Sequence, residues 1–284
     1  MALLVLVLLI LCTVGCALES VERPLVDARQ STRLLDVFGV RDLDAPNGDL
    51  IRWSVASRPD PPRDPSRETL RAIQDDSIEL LDLRDVRLTQ ASKARLRELQ
   101  KVKWLRLPPV MSTNDVAWIA EMRQLRGLSL NYSDLDGVDL GCLSTLESLQ
   151  WLELDGVRMS DKDFATLPRL KSLQTLIMTG PTVTDGYLRH LASMKLPSLL
   201  SLALSHGSVT DTGLHELCSA YDLEYLGLFC VPKVTERSVD SVSSMKRLRV
   251  LAVGGSGMCP EYRENETVRR LERLLPDCVI DHGD

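Results

Sequence analysis

Aromatic residues are scarce: three phenylalanines, five tyrosines and four tryptophans make up 4% of 284 residues. A chain so poor in large rings must fill its interior with aliphatic side chains, and leucine is the abundant one. Clustered basic residues are missing as well. The formal net charge is −6 and the isoelectric point lies near 5.4. Phosphate contacts need grouped Lys and Arg, so nucleic acid is not expected as a ligand. No Cys-x-x-Cys pair and no Gly-x-Ser-x-Gly elbow occurs. His215-Glu216 lacks the second histidine of a zinc-protease helix, and Cys278 with His282 supplies only two zinc ligands. Gly254-Gly255-Ser256-Gly257 lacks the Lys-Ser/Thr ending of a phosphate loop and reads as a repeat turn. No catalytic residue, metal or cofactor is assigned, and the chain is read as a non-enzyme.

What is present is a repeat. The pattern apolar-x-x-Leu-x-apolar recurs at Ile78/Leu81/Leu83, Val102/Leu105/Leu107, Leu125/Leu128/Leu130 and Leu149/Leu152/Leu154. It continues at Leu173/Leu176/Met178, Leu199/Leu202/Leu204, Leu223/Leu226/Leu228 and Leu248/Leu251/Val253. The last anchors lie 24, 23, 24, 24, 26, 24 and 25 residues apart. A fixed period in this range is the mark of a solenoid. Each Leu-x-Leu alternates as a short strand with one buried face does. The phrase that follows, Thr184-Asp185-Gly186 or Thr210-Asp211-Thr212-Gly213, reads as a helix start in which a side-chain oxygen accepts from free backbone amides. One strand and one helix cannot bury their own leucines; stacked turns bury them in a shared column.

On these repeats and the Val-Thr-Asp-x-Gly-x-Leu phrase, residues 76–281 resemble the leucine-rich repeat proteins. The branch they resemble is the cysteine-containing, ribonuclease-inhibitor-like one of F-box and bacterial envelope proteins. The resemblance implies an α/β fold, a right-handed solenoid of about eight repeats of 23–26 residues, with a curved parallel sheet inside and short helices outside. It also implies a role in protein recognition. The position where that family places Asn or Cys, three residues after the strand, is here Val86, Val110, Ser133, Val157, Pro181, Gly207, Val231 and Ser256. The turn amides must therefore find another acceptor.

The domain division follows. Residues 1–18 form an apolar leader with no charge before Glu19, read as a signal peptide, lipoprotein leader or anchor. Thr13-Val14-Gly15-Cys16 resembles a lipobox, which makes Cys16 the candidate lipidation site. The leader is the only expected membrane contact and places the repeats outside the cytoplasm, in the cell envelope. Residues 19–75 hold two short apolar pieces, Leu34-Leu35-Asp36-Val37-Phe38 and Leu50-Ile51-Arg52-Trp53, and a proline-rich linker from Arg58 to Pro65. They read as a tether and N-terminal cap. Residues 76–257 are the repeats and 258–284 the C-terminal cap, where Cys259 and Cys278 form the candidate disulfide. Asn131 and Asn265 begin glycosylation sequons.

Strand alternation names the residues that leave the concave side of the sheet. Those with hot-spot chemistry are Arg84, Trp104, Arg106, Asn131, Trp151, Glu153, Asp155, Tyr225 and Phe229. Glu153 and Asp155 read as surface charge rather than a carboxylate pair. At about 4.8 Å per strand, eight strands span about 38 Å, enough for a protein interface. The expected function is a non-catalytic, exported and tethered scaffold that binds a protein or peptide on this face. The alternatives are an enzyme regulator of the GTPase-activating type, which needs a cytosolic chain, and an F-box-like ubiquitin-ligase adaptor. Residues 19–75 do not look like an F-box.

Overall fold

In a computed structural model, the residues described are 79–83, 88–109, 112–261 and 263–282. The leader with Cys16, the tether, and Arg84 lie outside them. Among the described residues, nine strands form one sheet in sequence order: β1 (Leu80–Asp82), β2 (Trp104–Arg106), β3 (Gly127–Ser129), β4 (Trp151–Asp155), β5 (Thr175–Thr179), β6 (Ser201–Ser205), β7 (Tyr225–Phe229), β8 (Val250–Ala252) and β9 (Val279–Asp281). Every pair is parallel, and the registers align Leu81, Leu105, Leu128, Leu152, Leu176, Leu202, Leu226, Leu251 and Ile280 in one row. A parallel sheet with consecutive neighbours and a crossover after each strand is an α/β solenoid, a leucine-rich repeat fold. β9 adds a strand beyond the eight that the repeat pattern marks.

The crossovers carry α1 (Gln90–Glu98), α2 (Thr113–Ile119), α3 (Asp161–Phe164), α4 (Asp185–Met194), α5 (Asp211–Ala220), α6 (Val239–Ser243) and α7 (Glu266–Leu274). A 3₁₀ turn, Gly141–Thr145, replaces the helix after β3. None of these helices is long and apolar enough to cross a membrane. Between sheet and helices lies one continuous core, in which Leu128, Leu152, Leu176, Leu202 and Leu226 are fully buried. Each such leucine contributes about 2 kcal/mol on transfer from water.

The Thr-Asp phrase performs two tasks. Thr184 and Thr210 cap α4 and α5, and Thr235 caps the 3₁₀ turn Glu236–Ser238 that leads into α6, accepting from the amides of Gly186, Thr212 and Arg237. Each hydroxyl also donates backward to the aspartate of the preceding repeat: Thr184 to Asp161, Thr210 to Asp185 and Thr235 to Asp211. Asp185 and Asp211 further accept from the amides of Thr210 and Thr235, at 2.7 Å in both cases. The result is a ladder of aspartate–threonine rungs on the helical side.

The glycines in the phrase follow from that ladder. A Cβ on Gly213 would lie 2.3 Å from Asp185 Oδ1, and one on Gly186 would lie 2.1 Å from Asp161 Oδ2. The aspartate reaches the next repeat because those positions have no side chain.

Turn amides at the other end of each strand are satisfied by backbone. Just past the strand, three residues after β3 and one after β4 to β7, Tyr132, Gly156, Gly180, His206 and Cys230 donate to the carbonyls of Asp155, Thr179, Ser205, Phe229 and Gly254 in the next repeat. All five have positive φ, from 49° at Cys230 to 116° at Gly180. This column replaces the missing asparagine or cysteine ladder. Tyr132, His206 and Cys230 hold a backbone conformation that glycine adopts without cost.

Candidate interaction face

The outward rows of the sheet are Trp104, Gly127, Trp151, Thr175, Ser201, Tyr225 and Val250, and beside them Arg106, Ser129, Glu153, Ile177, Ala203, Gly227 and Ala252. The alternation expected from sequence therefore holds, but these side chains do not face water. Trp104, Arg106, Trp151, Glu153, Tyr225 and Phe229 are at most 3% exposed, and Asn131 is 9% exposed. Glu153 and Asp155, expected as surface charge, are buried and half-buried respectively. None of the outward apolar residues belongs to the leucine core, which lies on the opposite side of the sheet.

Glycine accounts for part of this packing. Gly127 sits in register between Trp104 and Trp151, and a Cβ there would lie 1.9 Å from Cε3 of Trp104. The benzo edge of Trp104 thus occupies the space above Gly127 on the neighbouring strand. On β7 the rings of Tyr225 and Phe229 close over Gly227, where a Cβ would meet Phe229 at 2.7 Å and the Tyr225 hydroxyl at 2.9 Å.

The polar members gather at the N-terminal end. Arg106 reaches Asp82 on one side at 3.6 Å and, across the small Ser129, Glu153 on the other at 3.7 Å. Burial pushes the Glu153 carboxyl up to about 7, against the pull of the Arg106 guanidinium and hydrogen bonds from Asn131 and Ser129. Asp155 accepts from the Tyr132 hydroxyl at 3.0 Å and from the Thr179 hydroxyl. Burial raises its carboxyl as well, and those two hydrogen bonds oppose it. Asn131 accepts from the Asp155 amide at 2.9 Å.

Two groups of the expected residues result. Trp104, Arg106, Asn131, Trp151, Glu153 and Asp155 form one cluster on β2 to β4 and the turn after β3. Tyr225 and Phe229 stand on β7, about 14 Å away at the usual strand spacing. Sequence reasoning missed Tyr132, Thr179, Asp82 and Ser129 as members of the cluster. The signal for Tyr132 was its place in a column otherwise rich in glycine.

Other expectations are corrected. Cys259 and Cys278 are free thiols, with no disulfide between them. The Cys259 thiol donates to the Arg263 and His282 carbonyls, and that of Cys278 to its neighbour Val279. Burial pushes the Cys278 and Cys218 thiols up to about 12, so neither ionises readily. Asn265 is occupied as the cap of α7, accepting from Val268 and donating to the Met258 carbonyl. With Asn131 buried, neither sequon presents a free amide. His190 packs edge-on against Phe164 with ring centres 5.7 Å apart.

No protein-family model matches the chain, and no curated protein sequence does. Among solved structures, it is similar to an internalin, InlF, from Listeria monocytogenes, at 21% identity and a TM-score of 0.50, over 73% of this chain and 61% of that one. It also matches a leucine-rich repeat protein, LIC12759, from Leptospira interrogans, at 21% identity and a TM-score of 0.46, over 75% of this chain and 56% of that one. The chain thus spans about three fifths of the length of these structures. At such identity the likeness to the internalin speaks for architecture alone, and with the in-register parallel sheet it identifies the fold as an α/β leucine-rich repeat solenoid.

Proposed function

We propose that this chain is a non-catalytic recognition scaffold that binds a protein or peptide on its concave face. The cluster of Trp104, Arg106, Trp151, Glu153 and Asp155 forms the centre of the site, with Asn131 beside it and Tyr225 and Phe229 as a second anchor; Arg84 is assigned to it from the sequence alone. The observation that carries this reading is the joining of two tryptophans to an acid–arginine–acid row on one side of the sheet, away from the core. Aromatic and arginine side chains dominate the energetics of protein interfaces, whereas a face serving the fold alone has no need of a desolvated Arg106 between two acids.

The uncharged leader before Glu19 supports export, and the Cys16 lipobox supports tethering by lipid, with no other membrane contact. The test is affinity capture from the native envelope with the tagged full chain and its Trp104→Ala/Trp151→Ala variant. Capture should fall about tenfold or more in the variant while circular dichroism keeps its native shape. Equal capture by both chains would remove this surface from consideration.

A further inference from the structure

The column of left-handed turn residues carries a thiol beside an imidazole. His206 and Cys230 are the first residues after β6 and β7, strands paired in register. Their φ angles are 54° and 49°. The same turn thus recurs one strand spacing on, about 4.8 Å away, and sends both side chains the same way. The Cys230 thiol hydrogen-bonds the His206 ring. The Ser205 hydroxyl and Nδ1 of that ring are hydrogen-bonded at 2.8 Å, which fixes its orientation. Cys230 raises the imidazole above its ordinary value, burial opposes this, and Asp155, the other titratable group near the ring, adds to it. Asp155 in turn is bonded to the Tyr132 and Thr179 hydroxyls. The pair is open to reagents. His206 is exposed and Cys230 partly exposed. Gly180 precedes His206 in the column and Gly255, with φ 69°, follows Cys230, so glycine borders the pair on both sides. Among the described residues, a Cβ on Gly180 would meet only the Gly156 Cα, at 3.7 Å. The other described thiols differ. Cys142, Cys259 and Cys278 turn to backbone carbonyls, and Cys218 is enclosed by the core.

We propose that Cys230 is a nucleophilic thiol with His206 as its base, and that it reacts with small-molecule disulfides to form a mixed disulfide at this rim. An ordinary thiol is mostly protonated near neutrality, and an imidazolium beside it holds the thiolate instead. The imidazole accepts the thiol proton. The thiolate sulfur then attacks one sulfur of the disulfide, and a new S–S bond forms as the old one breaks. The departing thiolate takes the proton from the imidazolium. One thiol and one disulfide become one mixed disulfide and one thiol, so no further oxidant is needed. The backbone chooses this electrophile over an acyl group. The amides of His206 and Cys230 are bonded to the Phe229 and Gly254 carbonyls, which leaves neither to stabilise the oxyanion of an acyl transfer. Exchange with a disulfide passes through no oxyanion. This assignment stands apart from the reading of the concave face.

The test treats the reduced full chain with 4,4′-dithiodipyridine, follows the released thiopyridone by absorbance and maps the label by peptide mass spectrometry. The fastest label should fall on Cys230, and its rate should change only about tenfold between pH 6 and 9. An ordinary thiol changes about two hundredfold over that range. His206→Asn should restore the steep profile and slow labelling at pH 6 about tenfold, since asparagine keeps the left-handed turn but offers no base. Should that variant lose its native circular dichroism, Ser205→Ala supplies the comparison, because it frees the ring and should also slow labelling at pH 6. Oxidised glutathione in place of the pyridyl reagent should add to Cys230 first. Fastest labelling at another cysteine, a steep wild-type profile, or a profile that the substitution leaves unchanged would each overturn the proposal.

Discussion

Asp185 receives two hydrogen bonds from Thr210 across the seam between successive repeats, one from the amide at 2.7 Å and one from the hydroxyl at 2.6 Å. Asp211 repeats the arrangement with Thr235 and adds the Ser238 hydroxyl. Replacing Asp211 by Ala strands one amide and two hydroxyls in partial burial. The expected loss is about 2 kcal/mol, read as a lower urea midpoint with an unchanged slope. Burial raises the Asp211 carboxyl, but hydrogen bonds from Ser238 and Thr235 outweigh it and hold the group below its ordinary value. A depressed carboxylate contributes stability above its unfolded value and loses it as the pH falls through the folded one. The gap between wild type and Asp211→Ala should therefore close in acid, and a constant gap down to pH 2 would refute the ladder.

An alanine in place of a helical glycine ordinarily stabilises by roughly 0.5–1 kcal/mol. At Gly213 the sign should reverse, because the added carbon would meet the Asp185 carboxylate at 2.3 Å. Gly213→Ala should lower the melting temperature, by an amount matching a cost of about 1–3 kcal/mol. An increase would mean that Asp185 moves aside freely and that the rung has little value.

Glu153 makes stability depend on pH near neutrality. Its folded value of about 7 lies above the ordinary 4.5. The contribution is therefore present in full below about pH 4.5 and is lost as the pH rises through 7. The shift corresponds to about 3 kcal/mol at most. Denaturation of wild type and Glu153→Gln from pH 4.5 to 8 should show the wild type losing ground steadily relative to the variant. Parallel curves would place the carboxylate in water.

Gly127 offers a third kind of test, since it lies beneath a ring rather than a carboxylate. Gly127→Val should lift Trp104 off the sheet, red-shift its emission and disrupt the cluster with Trp151. The leucines behind the sheet stay packed, so the melting temperature should fall by only a few degrees. Loss of all folded signal would assign the Trp104–Gly127 contact to the core instead.

The strands were legible residue by residue, because a leucine every two dozen positions fixes both the period and the buried side. The alternation also named Trp104, Arg106, Trp151 and Glu153 as neighbours on the opposite side. It could not say whether they meet water, since the pleat determines which side a residue leaves and not what lies there. Thr184, Thr210 and Thr235 were readable as caps. The backward bond to Asp161, Asp185 and Asp211 was not, because it depends on the spacing between coils. The position of Cys259 and Cys278 in the C-terminal cap suggested a bridge, yet each thiol turns toward a nearby carbonyl, a matter of side-chain rotation that position in the sequence does not encode.

The aspartate–threonine rungs run from Asp161 to Thr235. Ion pairs at the rim join turns along the whole coil, such as Lys103 with Glu79 and Arg97 with Glu121 before the rungs, and Arg247 with Glu224 and Arg270 with Asp240 in the later turns. Exposed pairs of that kind weaken with ionic strength, while short partly buried hydrogen bonds barely respond. Added salt should therefore soften the turns that have no rungs more than the turns that have them. The tryptophan-bearing turns would be the compliant end of a spring whose far half is riveted.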